Sequence, residues 1–175
     1  AHHKVVKIAN SGPLARPNTC AGHDNENGVR LAVEELNARK INVGGKTLKF
    51  ELVSEDDQCD AKSGVNVAQK LVDGGVKFVM GPYCSGVTIP ASRIYDAGGA
   101  LVSTVGTNPK VTQNGYKNLY RIIASDTQIG SNMATYAANV LKVKKVAVVD
   151  DRTAFGQGVA EEFTKEAKKL GLTVV

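Results

Sequence analysis

Short runs of β-branched residues alternate with segments of helical periodicity along this chain, and that alternation leaves few folds open. Val5–Ala9 (VVKIA), Thr47–Val53, Val76–Met80, Ala100–Thr104, Leu119–Ala124 (LYRIIA) and Lys145–Asp150 read as strands, and Leu172–Val175 begins another. Between them lie helix-patterned stretches. The first follows a polar loop from Leu14 to about Asn25 and runs to about Arg39, with Val29, Ala32, Val33 and Leu36 on one face. The second is capped by Asp60 and turns Val65, Ala68, Leu71 and Val72 inward. Later helices carry Ile89, Ile94 and Ala97, then Ile129, Met133, Ala137, Val140 and Leu141 behind an Asp126 cap, then Val159, Phe163, Ala167 and Leu170. Strands and helices at this pitch make βαβ units, so the predicted fold class is α/β with a mostly parallel sheet.

Ligands in such sheets bind beyond the carboxyl ends of the strands, where strand order reverses. The polar and unusual residues of this sequence collect at those ends: Asn10–Pro13, Asp56–Cys59, Pro82–Ser85, Gly106–Asn108 and Asp150–Phe155. The most informative is Gly81–Thr88 (GPYCSGVT), which joins a strand to a helix and puts Ser85 at the expected N-cap. A helix N-terminus has unpaired N–H groups and a partial positive charge, which suits a carboxylate or phosphate. An ordinary capping serine explains the same residues.

Several classes of chemistry lack their marks. After the first strand there is no GxGxxG, and there is no phosphate loop of the GxxxxGK[ST] kind and no GxSxG elbow. His2 and His3 are terminal and His23 sits in a polar loop, so no histidine is placed as a general base. No enzyme activity, cofactor or metal is expected. Asp56-Asp57 is a candidate magnesium pair of the flavodoxin or receiver type; a solvated acidic turn before the next helix is the simpler account. The net charge of +5 comes from scattered lysines such as Lys142, Lys144, Lys145, Lys165, Lys168 and Lys169. No aromatic residues interleave with them and no nucleic-acid motif is present, so solvated helix faces account for the basicity.

No run approaches the roughly 20 apolar residues of a membrane span. The start at Ala1-His2-His3-Lys4, leading straight into a strand, fits a mature exported chain, and His2-His3 fits a tag remnant equally well. Three cysteines add a further choice. Cys59 and Cys84 both follow predicted strands and emerge on one sheet edge, with Cys20 left over as a free thiol. A Cys59–Cys84 bridge implies an oxidising compartment, and three reduced thiols imply the opposite.

Taken in order, SGP at Ser11–Pro13, GVRLAVEELNA at Gly28–Ala38, DDQCD at Asp56–Asp60, GPYCSGVTIPAS at Gly81–Ser92, STVGTNP at Ser103–Pro109 and DDRTAFGQG at Asp150–Gly158 resemble a branched-chain amino-acid binding protein of bacterial ATP-driven importers. The resemblance runs from about Val5 to the last residue. It implies the type I periplasmic binding protein fold, two α/β lobes on a hinge, with residues 1–120 as a nearly complete first lobe and 121–175 as the start of a second. It also implies the Cys59–Cys84 disulfide and export to the periplasm. The ligand is then a free amino acid, apolar or branched-chain, and the partner an ABC permease. Ser85 falls where the family binds the α-carboxylate, and Gly106 and Thr107 where it binds the α-ammonium.

Two departures stand out. Pro17 within ARPN and Phe155 both occupy places where relatives often carry tyrosine; Phe155 still offers a ring to an apolar side chain. Members of the family are also considerably longer, so their second-lobe ammonium-binding acid and pocket aromatics have no counterpart here. A half of this kind is expected to expose apolar faces and to self-associate. A ligand-sensing regulatory domain of the same fold is the alternative to transport.

Overall fold

The computed structural model describes residues 3–15 and 17–175. His2, one of the paired terminal histidines, lies outside them. The elements, in chain order, are β1 (His3–Gly12), α1 (Thr19–Ala38), β2 (Asn42–Val43), β3 (Lys46–Asp56), α2 (Ala61–Asp73), β4 (Phe78–Met80), α3 (Ser85–Ala97), β5 (Leu101–Thr104), a 3-10 turn at Pro109–Thr112, β6 (Leu119–Arg121), α4 (Asp126–Asn139), β7 (Lys145–Val146), α5 (Ala154–Lys169) and β8 (Thr173–Val174).

Six strands form one sheet in the order β2-β3-β1-β4-β5-β6, and β7 pairs with β8 in a second, smaller one. All neighbours in the large sheet are parallel except the edge pair β2–β3. That exception is a hairpin turned by Gly44 and Gly45, both at positive φ. From β1 the chain crosses to β3 on one side, then passes back over β1 to β4 on the other. The order therefore reverses between β1 and β4, and the crevice of a doubly wound sheet opens there.

Gly81 marks how tightly that crevice is built. Its φ is +119°, and a Cβ there would collide with the Ser11 carbonyl at the end of β1. Beneath it, α2 and α3 cover one face of the sheet and bury Val67, Leu71, Val79, Ile94, Tyr95 and Val102. A second core of Ala134, Ala137, Ala167 and Leu172, flanked by Phe163, joins α4 to α5 and β8.

Several boundaries differ from the expectation. Helix α1 starts at Thr19, six residues before the end of the predicted loop. Its first turns lack an apolar stripe because their inner face is polar: Asn25 Nδ2 donates to Asn10 Oδ1 at 3.1 Å, Asn10 Nδ2 to Ser54 Oγ at 3.2 Å, and Ser54 Oγ to Glu26. Strands β1 and β3 run on through polar residues to Gly12 and Asp56, because each remains paired with the other in register. The cap of α4 is Ser125, in a reciprocal capping box with Gln128; Asp126 is the first helical residue and is buried. The predicted strand Lys145–Asp150 is paired over Lys145–Val146 alone. Beyond it Val149 is 93% exposed.

Candidate functional site

The site is built where β4 and β5 deliver their loops to the start of α3. The N-cap of α3 is Cys84, and Ser85 is the first helical residue, one position later than the capping role expected of it. Cys84 makes no side-chain cap, whereas Asp60, Ser125 and Thr153 cap α2, α4 and α5 through their side chains. The Val87 and Thr88 amides turn back to the Cys84 carbonyl, at 3.1 and 2.9 Å. The Ser85 and Gly86 amides, at the positive end of the helix, take no part in that turn. Ser85 is 2% exposed, and its Oγ accepts from the Asn108 N–H at 3.1 Å. One lone pair is thereby used and the hydroxyl proton left to donate.

That hydrogen bond brings the second loop to the first. Gly106 and Thr107 immediately precede Asn108 and are buried with it. Behind them Thr104 Oγ1 donates to the Pro82 carbonyl at 2.7 Å and accepts from the Gly106 N–H at 2.9 Å. Thr88 lies alongside, its Oγ1 3.2 Å from Thr104 Oγ1. A Cβ at Gly106 would stand 3.0 Å from Thr88 Oγ1, so the loop is pressed against α3. Thr88, Thr104 and Asn108 thus hold Ser85, Gly106 and Thr107 in one place. The sequence placed Thr88 and Asn108 in the polar segments at the strand ends but gave none of the three a role, because their partners lie 16 to 23 residues away.

Two features beside this loop carry unmet polarity. The Thr107 hydroxyl is buried without a hydrogen-bond partner, as are both carboxylate oxygens of Asp126. Their residues touch through the backbone, the Asp126 N–H donating to the Thr107 carbonyl at 2.7 Å. Burial pushes the Asp126 carboxyl above the usual carboxylate range, with the Thr107 hydroxyl and Arg121 pulling the other way.

Phe155 stands apart from the buried trio. It lies in the first turn of α5, 49% exposed, so it is a rim residue and not a wall of the loop cluster. Its neighbour Ala154 accepts from Asn108 Nδ2 at 2.8 Å and faces Gly86, which brings the start of α5 to the same edge. An adjoining groove of about 230 Å³, lined by Ile89, Lys110, Gln157 and Glu161 among others, includes none of Ser85, Gly106 or Thr107.

The acidic pair has a different role from either sequence reading. Asp56 Oδ1 accepts from the Leu14 and Gln58 amides, at 3.0 and 2.9 Å. Asp57 is fully buried, where a solvated turn was expected, and accepts from Ser11 Oγ at 2.7 Å and the Cys59 N–H at 2.9 Å. Both carboxylates thus tie β1 to the turn after β3. Among the described residues no group of three or more His, Cys, Asp or Glu side chains is placed to hold a metal. Next to Asp57, Cys59 is bonded to Cys84 with a Cα–Cα distance of 5.6 Å, and Cys20 is free and exposed. The bridge pins the N-cap of α3, and hence Ser85, to the turn after β3.

Comparison with known proteins places this geometry. The family model described as periplasmic binding protein matches residues 5–175. The chain belongs to the periplasmic binding protein family. Among its relatives, an amino acid binding protein of Pseudomonas aeruginosa is 40% identical over 97% of this chain and 45% of its own length. A Leu/Ile/Val-binding protein of Citrobacter freundii is 35% identical over the whole chain and 47% of its own length. Among solved structures, a leucine binding protein of Thermotoga maritima superposes with a TM-score of 0.86 at 28% identity, over 97% of this chain and 47% of that one. The type I periplasmic binding protein fold expected from the sequence is the fold observed. This periplasmic binding protein chain spans about half the length of the curated relatives it matches.

Proposed function

We propose that the chain is the ligand-facing part of an extracytoplasmic solute-binding protein that captures a free amino acid, apolar or branched-chain, between two lobes and delivers it to an ABC permease. The observation that carries this reading is the convergence of an uncapped helix start and a buried polar loop on Ser85. The amides and hydroxyl of Ser85 and Gly86 suit an α-carboxylate, and the Gly106 carbonyl and Thr107 hydroxyl suit an α-ammonium. Charge-assisted bonds of this kind are the strong ones. Phe155, on the rim, is assigned to the ligand's side chain. Residues 1–120 form the first lobe in this reading and 121–175 the start of the second. Its support is that β6 closes the large sheet at Arg121, while β7 and β8 pair with each other. The disulfide supports an exported, periplasmic location.

The test is calorimetry of the full-length protein against the twenty amino acids. Binding of leucine, isoleucine or valine is expected, and the reading falls if no amino acid binds. In the same assay Ser85→Ala is expected to weaken binding by about 1.5–3 kcal/mol, since it removes a donor to a charged group and also orphans the Asn108 N–H. Unchanged affinity would remove Ser85 from the site.

A further inference from the structure

We propose that Asp126 is a positioning residue of this site: its carboxylate accepts a hydrogen bond from the Thr107 hydroxyl, turns that oxygen's lone pairs toward the ligand, and so makes the site select for a protonated α-amino group. The inference rests on the amino-acid reading above and adds a residue and a selectivity to it. Its basis is the pair of orphaned groups at the start of α4. A carboxylate can only accept and a hydroxyl can both donate and accept, so the two are complementary. Both are buried, both lack partners, and their residues are joined by the 2.7 Å backbone bond.

The surroundings offset the charge only in part. Helix α5 packs so closely that a Cβ at Gly158 would collide with the Asp126 carboxylate. From α5 Glu162 repels it, and from β6 Arg121 attracts it, though that guanidinium also reaches the Asn108 carbonyl at 3.4 Å. A buried anion this poorly matched is costly unless a cation comes close. An ammonium group donating to Thr107 Oγ1 supplies that cation, one hydroxyl away.

The full-length protein is titrated by calorimetry with leucine and with 2-hydroxy-4-methylpentanoate, which carries a hydroxyl in place of the ammonium. Asp126→Asn is expected to weaken leucine by about tenfold or more, the size of one charge-assisted bond, and to leave the hydroxy acid within about threefold. Adding it to Thr107→Val is expected to cost nothing further, because the residue acts through that hydroxyl. On acidification from about pH 7 to about pH 4.5, leucine binding is expected to weaken in the wild type and in Glu162→Gln, and to stay level in Asp126→Asn. Equal losses for both ligands, or no loss for either, would overturn the proposal and leave the amino-acid reading intact. A wild type that binds no amino acid would overturn both. If Asp126→Asn does not melt cooperatively, the wild-type acid profile and the Thr107→Val variant decide: a level profile, or one that Thr107→Val leaves unchanged, overturns the proposal.

Discussion

Asp57 is a carboxylate whose burial costs more than its hydrogen bonds return. Desolvation raises its pKa above 3.8, and the bonds from Ser11 and Cys59 only partly oppose that. The folded state therefore binds a proton more tightly here than the unfolded chain does. The stability associated with the protonated form is complete below about pH 3.8 and is lost as pH rises through the folded-state value. Asp57→Asn removes this dependence while keeping an oxygen for the Cys59 N–H and an amide to face Ser11. Relative to wild type, the variant is expected to gain stability as pH climbs from about 4 toward neutrality. Denaturant unfolding at stepped pH measures the difference; a constant difference across the range would show that Asp57 titrates as in the unfolded chain. The same residue shows what a sequence conceals. The spacing of Asp56-Asp57 revealed an acidic turn, but nothing local told that Ser11, 46 residues earlier, would draw one carboxylate inside. Ser85 is the milder case: its place in the loop cluster was legible, whereas its helix position was off by one because Cys84 takes the extended conformation of the cap.

At the scale of elements, the site depends on how α3 is held. Three restraints meet on its first turn: the hydrogen bond from Asn108 to Ser85, the Thr88–Thr104 contact with Gly106, and the disulfide. The bridge closes a loop with a sequence separation of 25, and on the chain-entropy model that is worth about 3 kcal/mol. Cys59→Ser together with Cys84→Ser is expected to destabilise the protein by about 2–4 kcal/mol. Reductant is expected to lower the wild-type midpoint toward that of the double variant and to leave the variant where it is. Mass spectrometry of the unreduced protein is expected to join Cys59 to Cys84 with Cys20 alkylatable, and any other pairing would refute the topology. The strand–helix alternation was legible because apolar stripes announce elements that face a core. The start of α1 was not, because Asn25 and Glu26 turn polar groups inward to Asn10 and Ser54. A helix whose inner face is hydrogen-bonded has no hydrophobic period to read.

At the scale of the whole molecule, the described surfaces differ sharply in how well they are covered. One face of the large sheet lies under α2 and α3, but on the other face Phe78 and Leu101, which sit side by side in register, are 43% and 44% exposed, and Tyr120 is 57% exposed. These residues form apolar surface of the sort that soluble proteins rarely leave open in continuous patches. The ligand groups assigned above come largely from the loops after β4 and β5, with Phe155 as the sole residue assigned from α5. Half of a cleft can orient an amino acid but cannot enclose it, and charge-assisted bonds left in water are weakened by its high dielectric. The 175-residue chain on its own is therefore expected to bind leucine at least about a hundredfold more weakly than the full-length protein, a difference of about 2.7 kcal/mol. It is also expected to self-associate as concentration rises. Sedimentation of the chain, with and without Phe78→Lys and Leu101→Lys, reports the second effect, and calorimetry on the same samples reports the first. Tight leucine binding by a strictly monomeric 175-residue chain would show that the loops after β4 and β5 suffice, and would overturn the two-lobe capture proposed above.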